Sequence, residues 1–147
     1  MSEATPDASL TVNALTNQST EENVKSSDFL LMKATVDPEQ DLTADGKLKI
    51  SLNHAMSKLI IKITVNGTTD ASMSKLGDMA INGAVVNATC DLSAAAPVVV
   101  PAADAVVATV APYKGTESCE CILPPQKIAE GFSVNFSYDG KLYIWTA

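Results

Sequence analysis

The feature that most constrains this chain is a repeated alternation of apolar and polar residues in short runs, most of them closed by a turn dipeptide. After Asp45-Gly46, Leu48, Ile50 and Leu52 alternate with Lys47, Lys49 and Ser51. Leu59, Ile61, Ile63 and Val65 then alternate with Lys58, Lys62 and Thr64 up to Asn66-Gly67. Cys119, Cys121 and Leu123 alternate with Glu120 and Ile122 and stop at Pro124-Pro125. Phe132, Val134, Phe136 and Tyr138 alternate with Ser133, Asn135 and Ser137, and Asp139-Gly140 turns the chain into Lys141–Trp145. A period of two places one residue class on each face of an extended strand, so each run reads as a half-buried strand.

The remaining runs fit the same scheme. Phe29–Thr35 is ended by Asp37-Pro38, Met79–Ile81 runs into Asn82-Gly83, and Pro97–Pro101 and Val106–Val110 are short and Val-rich. Near the N-terminus, Leu10, Val12 and Ala14 fall on one side of Ser9–Leu15, and Thr16–Ser27 reads as a loop or linker. About eight to ten candidate strands at roughly ten-residue spacing predict an all-β antiparallel sandwich or barrel. No window shows a capped 3.6-residue stripe; Ala71–Met79 is expected to make a single helical turn at most. The expected organisation is an N-terminal segment, residues 1–27, ahead of a β-sandwich domain, residues 28–147.

Composition removes several function classes. The 147 residues carry 17 Asp+Glu against 10 basic residues, all lysine, for a net charge of −7. An acidic chain without a guanidinium lacks the field and the fork that nucleic acid demands, and anionic lipid headgroups would repel it. The Met1–Asp7 stretch has no basic and apolar signal pattern, and no run of eighteen apolar residues could span a membrane as a helix. Three cysteines, Cys90, Cys119 and Cys121, without a C-x-x-C pair indicate neither a disulfide framework nor a zinc site. Cys119 and Cys121 read as small buried hydrophobes; pairing of either with Cys90 stays open.

Catalytic chemistry has little to stand on. His54 is the single histidine, between two strands, and reads as a locally bonded connection residue. Asp37, Glu39 and Asp41 alternate as a calcium loop begins, but Leu42 and Leu48 stand where that loop needs its Gly and its bidentate Glu. Glu21-Glu22 and the pair Glu117 and Glu120 lie outside any apolar run that would raise a carboxyl pKa. Tyr138, Tyr143 and Trp145 cluster near the C-terminus and read either as a cap on the core or as a stacking platform for a sugar. The expectation is a non-enzyme with no cofactor and no metal.

Three stretches in order carry a resemblance: Asp28–Ala34, then Leu52–Ile63 with its His54-Ala55-Met56-Ser57-Lys58-Leu59, then Ile122–Gln126 together with Tyr138–Trp145. Over Asp28–Trp145 the chain resembles the fimbrillin-like family of Bacteroides-type surface proteins. The resemblance implies a transthyretin-like β-sandwich of about seven to nine strands, matching the N-terminal domain of an exported lipoprotein subunit of fimbriae at the outer membrane. It also implies assembly by strand complementation with other fimbrial subunits: a protease removes an N-terminal strand, and a neighbour's strand fills the groove. Carried onto this chain, Leu10, Val12 and Ala14 form the removable strand, and Lys25 is the basic residue of the cleavable loop. The chain departs from the pattern in lacking arginine for an Arg-specific protease and in ending soon after the Tyr143–Trp145 strand. The alternative is a surface adhesin or carbohydrate-binding module, with Tyr138, Tyr143 and Trp145 contacting host or microbial surface ligands.

Overall fold

The computed structural model describes residues 9–32, 37, 39–65 and 69–147. The elements in order are β1 (Ser9–Asn13), α1 (Glu21–Ser26), β2 (Leu30–Leu31), β3 (Asn53–His54), β4 (Ser57–Ile61), β5 (Thr64–Val65) and β6 (Thr69–Asp70). A 3-10 turn at Met73–Lys75 leads into β7 (Leu76–Val85), β8 (Asn87–Asp91), β9 (Val99–Pro101) and β10 (Val107–Val110). β11 (Tyr113–Lys114), β12 (Cys119–Leu123), β13 (Ser133–Tyr138) and β14 (Lys141–Thr146) complete the chain. Nine of the described strands have three or more residues, and the fold is all-β with every strand pair antiparallel.

A four-stranded sheet in the order β10-β7-β13-β14 faces a three-stranded sheet, β11-β12-β4. The core between them holds Ile81 and Ala84 of β7, Val110 of β10 and Val134 of β13, with Cys119, Cys121 and Leu123 of β12 opposite. Period-two alternation dictates this: each run supplies its apolar row to one interface. A second core gathers Val12, Ala14, Val24, Met56, Ala88, Cys90 and Val99 around Ile122. Ile122 and Cys121 are neighbours on β12, so this strand buries both faces. The third sheet, β1-β8-β9, closes the second core.

Several expectations need correction. Thr16–Ser27 is not a linker: it contains α1, where the Thr20 side chain accepts from the Asn23 N–H as N-cap and Val24 is buried. Asn82-Gly83 is not a turn but lies inside β7. Pairing of Ala108 with Ala84 and of Val110 with Ile81 leaves one extra residue on β7, a β-bulge that absorbs the positive φ of Gly83, +75°. The Lys47–Leu52 run is not a half-buried strand. Leu48 makes only an isolated bridge to Leu42, while Ile50 is 60% and Leu52 55% exposed.

Other expectations hold. Phe29–Thr35 is represented by β2, its remainder falling partly outside the described residues, as does the turn dipeptide Asn66-Gly67. Asp139-Gly140 makes the β13–β14 turn with both φ angles positive, 50° and 75°. The strands of the Cys119, Phe132 and Lys141 runs lie where the alternation placed them. No helix among the described residues is long and apolar enough to cross a membrane.

Candidate functional site

Two places on the surface combine free strand edges with apolar side chains. The first is the N-terminal strand. β1 pairs with β8 over five residues, from Ser9↔Asp91 to Asn13↔Asn87, and its other side has no partner strand among the described residues. Val12 and Ala14 are buried, whereas Leu10 is 40% exposed, so only part of the predicted row reaches the core.

Just beyond β1 the backbone is clamped. The Ala14 N–H donates to the Val86 carbonyl at 2.8 Å, and the Leu15 N–H donates to Ser27 Oγ at 3.0 Å. The Leu15 carbonyl accepts from Gln18 Nε2 at 2.9 Å. That same amide donates to the Ile122 carbonyl at 2.8 Å, and Gln18 Oε1 accepts from the Ile122 N–H at 2.8 Å. Gln18 is fully buried. Towards Ile122 its carboxamide presents a donor and an acceptor as a peptide group does, so it continues the β12 ladder where β11 ends, and its second N–H serves Leu15.

Lys25 sits in the last turn of α1, exposed, with its Nζ 2.8 Å from Glu21. Their pairing holds the Glu21 carboxyl below its usual range and raises the Lys25 ammonium. The predicted processing residue therefore lies on a helical turn rather than on an open loop.

The second place is the open end of the main sandwich. A four-stranded sheet faces a three-stranded one, so the inner face of β14 has no strand opposite it. Between β4 and β14 runs a groove of about 470 Å³ lined by Leu59, Ile61, Ile63, Phe132, Phe136 and Trp145, among others. Trp145 meets Phe132 edge-on at 6.4 Å, and Tyr143 stacks on Phe136 at 5.4 Å. Trp145 is 50% and Tyr143 44% exposed, while Leu142 and Ile144 project from the other face of β14. Tyr138 stands apart: its ring packs on the main core and its hydroxyl accepts from the Ser72 N–H at 3.3 Å. The structure thus places Trp145 on the groove wall, stacks Tyr143 on Phe136 beside it, and gives Tyr138 a local bond.

The titratable groups are engaged elsewhere. His54 Nδ1 lies 2.5 Å from Asp28 Oδ2, and Lys58 pairs with Glu120 at 2.6 Å, both on the rim of a cavity floored by Val24, Met56 and Ile122. Asp37 and Asp41 are used in a local turn, Asp41 Oδ2 accepting from the Asp37 N–H at 2.7 Å. The described residues contain no group of His, Cys, Asp and Glu arranged to hold a metal. The Cys121 thiol is pushed up to about 12, chiefly by burial and then by the Glu120 charge. Burial also raises Cys119, and all three cysteines are unpaired.

Two residues that sequence patterning passed over do structural work at these edges. Gln18 lay in a stretch read as linker. Gln126, the last residue of the Ile122–Gln126 motif, accepts from the Val85 N–H and donates to the Val85 carbonyl, each at 2.9 Å. Both glutamines act as one-residue strands. Only the motif offered a signal, and only for Gln126, since periodicity does not separate a buried amide from a solvated one.

Comparison with known proteins gives a consistent answer. A family model described as fimbrillin-like matches residues 2–147. No curated protein matches. Among solved structures, a crystal structure of a protein from Bacteroides uniformis, provisionally described as a cell adhesion protein, superimposes with a TM-score of 0.59 at 20% identity. The alignment covers 98% of this chain and 55% of that one, so the chain spans about half the length of this neighbour, and the likeness is one of fold.

Proposed function

Because the chain belongs to the fimbrillin-like family, we propose that it serves at the bacterial cell surface as a structural subunit of a fimbria, or as the N-terminal domain of one. In this reading, subunits join by strand complementation. β1 is the exchangeable element: the N-terminal segment, residues 1–27, carries it ahead of the sandwich domain, residues 28–147, and Leu10, Val12 and Ala14 are the side chains that a neighbour's strand replaces. The observation that carries the reading is β1 itself. It is a five-residue edge strand with one partner strand among the described residues, and with the residue that follows it the segment supplies Val12 and Ala14 to the second core. Loss of such a strand exposes both apolar surface and unpaired backbone, and an incoming strand satisfies both. Cleavage near Lys25 requires α1 to unwind first, because a protease reads an extended chain. An outer-membrane location and lipid anchoring belong to this proposal.

Hydrogen exchange with peptide competition tests it. The β1 amides are expected to exchange well before those of β12, and a labelled Ser9–Leu15 peptide is expected to incorporate on mild heating. β1 amides as slow as those of β12, with no peptide uptake, would refute the proposal. A second reading, an adhesin, is favoured by the half-exposed Trp145 on the groove wall and the exposed Tyr143 two residues before it on β14. It predicts a sugar-dependent change in Trp145 emission, and a flat response across a glycan panel rejects it.

A further inference from the structure

We propose that the seam between β4 and β14 receives the Lys47–Leu52 run of a second copy of this chain, which adds as a fourth strand beside β4. The inference rests on the reading that copies complete one another's sheets, but it concerns a different seam from that of β1.

The acceptor half is a matter of counting. Three strands face four, and among the described residues β4 pairs only with β12 and β14 only with β13. One side of β4 therefore has no partner strand among the described residues. The inner side chains Leu59, Ile61 and Ile63 lie only partly buried against the main core, and the groove beside them is open at Trp145. A strand laid there would close the sandwich and pair the free edge.

The donor half is the Lys47–Leu52 run, which lies outside every strand of three or more described residues. Leu48, Ile50 and Leu52 share one face of an extended segment and are 38%, 60% and 55% exposed, while Lys47 and Lys49 lie on the other. Docked in the seam, the three apolar residues would meet the row of β4 and Phe132, and the lysines would stay in water.

The geometry assigns the donor to a neighbour rather than to the same copy. The run leads directly into β3, and only Ala55 and Met56 separate β3 from β4. A reversal beside its own β4 would have to occur within residues 53–56. Those are committed elsewhere: Asn53 and His54 pair with Leu31 and Leu30, and the Ala55 N–H donates to the Phe29 carbonyl at 2.9 Å. A donor and an acceptor on different parts of one surface make a heterologous contact, and repetition of such a contact gives an open chain of copies unless the rotation closes a ring.

Trp145, the single tryptophan, is a built-in reporter at the seam. The 147-residue chain is titrated with a synthetic peptide of residues 45–53 and with a scrambled peptide of the same composition, which controls for charge. A saturable blue shift of Trp145 emission with the first and not with the second is expected. Equal responses, or none, overturn the proposal. As an independent arm, Ile50→Asp removes the donor face and Trp145→Lys obstructs the seam, with circular dichroism to verify the fold. Each variant alone should stay monomeric by sedimentation, and the two mixed should form a one-to-one dimer through the intact donor of one and the intact seam of the other. Persistent self-association of both variants, or no heterodimer on mixing, overturns it equally. Both arms keep β1 in place, so their failure leaves β1 exchange standing, and failure of β1 exchange leaves them readable.

Discussion

At the scale of single residues, side-chain amides matter more here than charges. Gln18 satisfies the N–H and the carbonyl of Ile122 out of water and also holds the half-buried Leu15 carbonyl. Truncation leaves buried backbone groups unpaired, at about 1–3 kcal/mol each. Gln18→Ala is therefore expected to lower stability by about 3 kcal/mol in urea unfolding. Gln18→Glu should be at least as harmful near neutral pH, because a carboxylate would face two carbonyl oxygens. The Cys121 thiol gives a pH signature. Its folded pKa of about 12 lies above the ordinary 9.0, so the folded state holds the proton more tightly than the unfolded chain. Its contribution is complete below pH 9.0 and is lost between 9.0 and about 12, at up to about 1.4 kcal/mol per pH unit. Cys121→Ala should flatten that alkaline limb in unfolding experiments, whatever it costs at neutral pH.

At the scale of elements, the bulge in β7 shows how a correct local signal acquires a different meaning. Asn82-Gly83 has the composition of a hairpin turn, and the positive φ it promises is present. The chain nevertheless runs straight on, because strands on both sides of β7 hold it in register from Leu76 to Val85. A Cβ added at Gly83 would stand 2.5 Å from the Gly131 carbonyl oxygen, in addition to the cost of the left-handed conformation. Gly83→Ala should therefore destabilise by about 3 kcal/mol, read from the shift in denaturation midpoint. The same competition worked against the Lys47–Leu52 run. Its alternation is as regular as that of β4, yet alternation states only which face could be buried, and among the described residues no sheet covers that face. In Thr16–Ser27 the polar composition hid a helix of six residues, too short for any stripe to show.

At the scale of the whole molecule, unpartnered surface is the dominant property. Among the described residues, Ile50, Leu52, Ile60, Leu142, Ile144 and Trp145 are each at least half exposed. Each copy also carries a net charge of −7, which opposes association of like copies. Self-association is thus expected to strengthen as salt rises from 10 mM towards 150 mM, where the screening length falls from about 30 Å to about 8 Å. Sedimentation velocity at the two salt levels checks this, and weaker association at higher salt would point to a contact held by opposite charges.

The sequence by itself determined the strand class, the main apolar rows and the hairpin at Asp139-Gly140, because these depend on the period of side-chain direction and on backbone φ, which are local properties. It also carried the family, through motifs spread from Asp28 to Trp145. Only the tertiary structure decided that Gln18 and Gln126 would stand in for strands, that Gly83 would bulge rather than turn, and that β4 and β14 would be left as free borders. Those outcomes turn on which segments, far apart in the chain, are present to compete for the same hydrogen bonds and the same apolar surface.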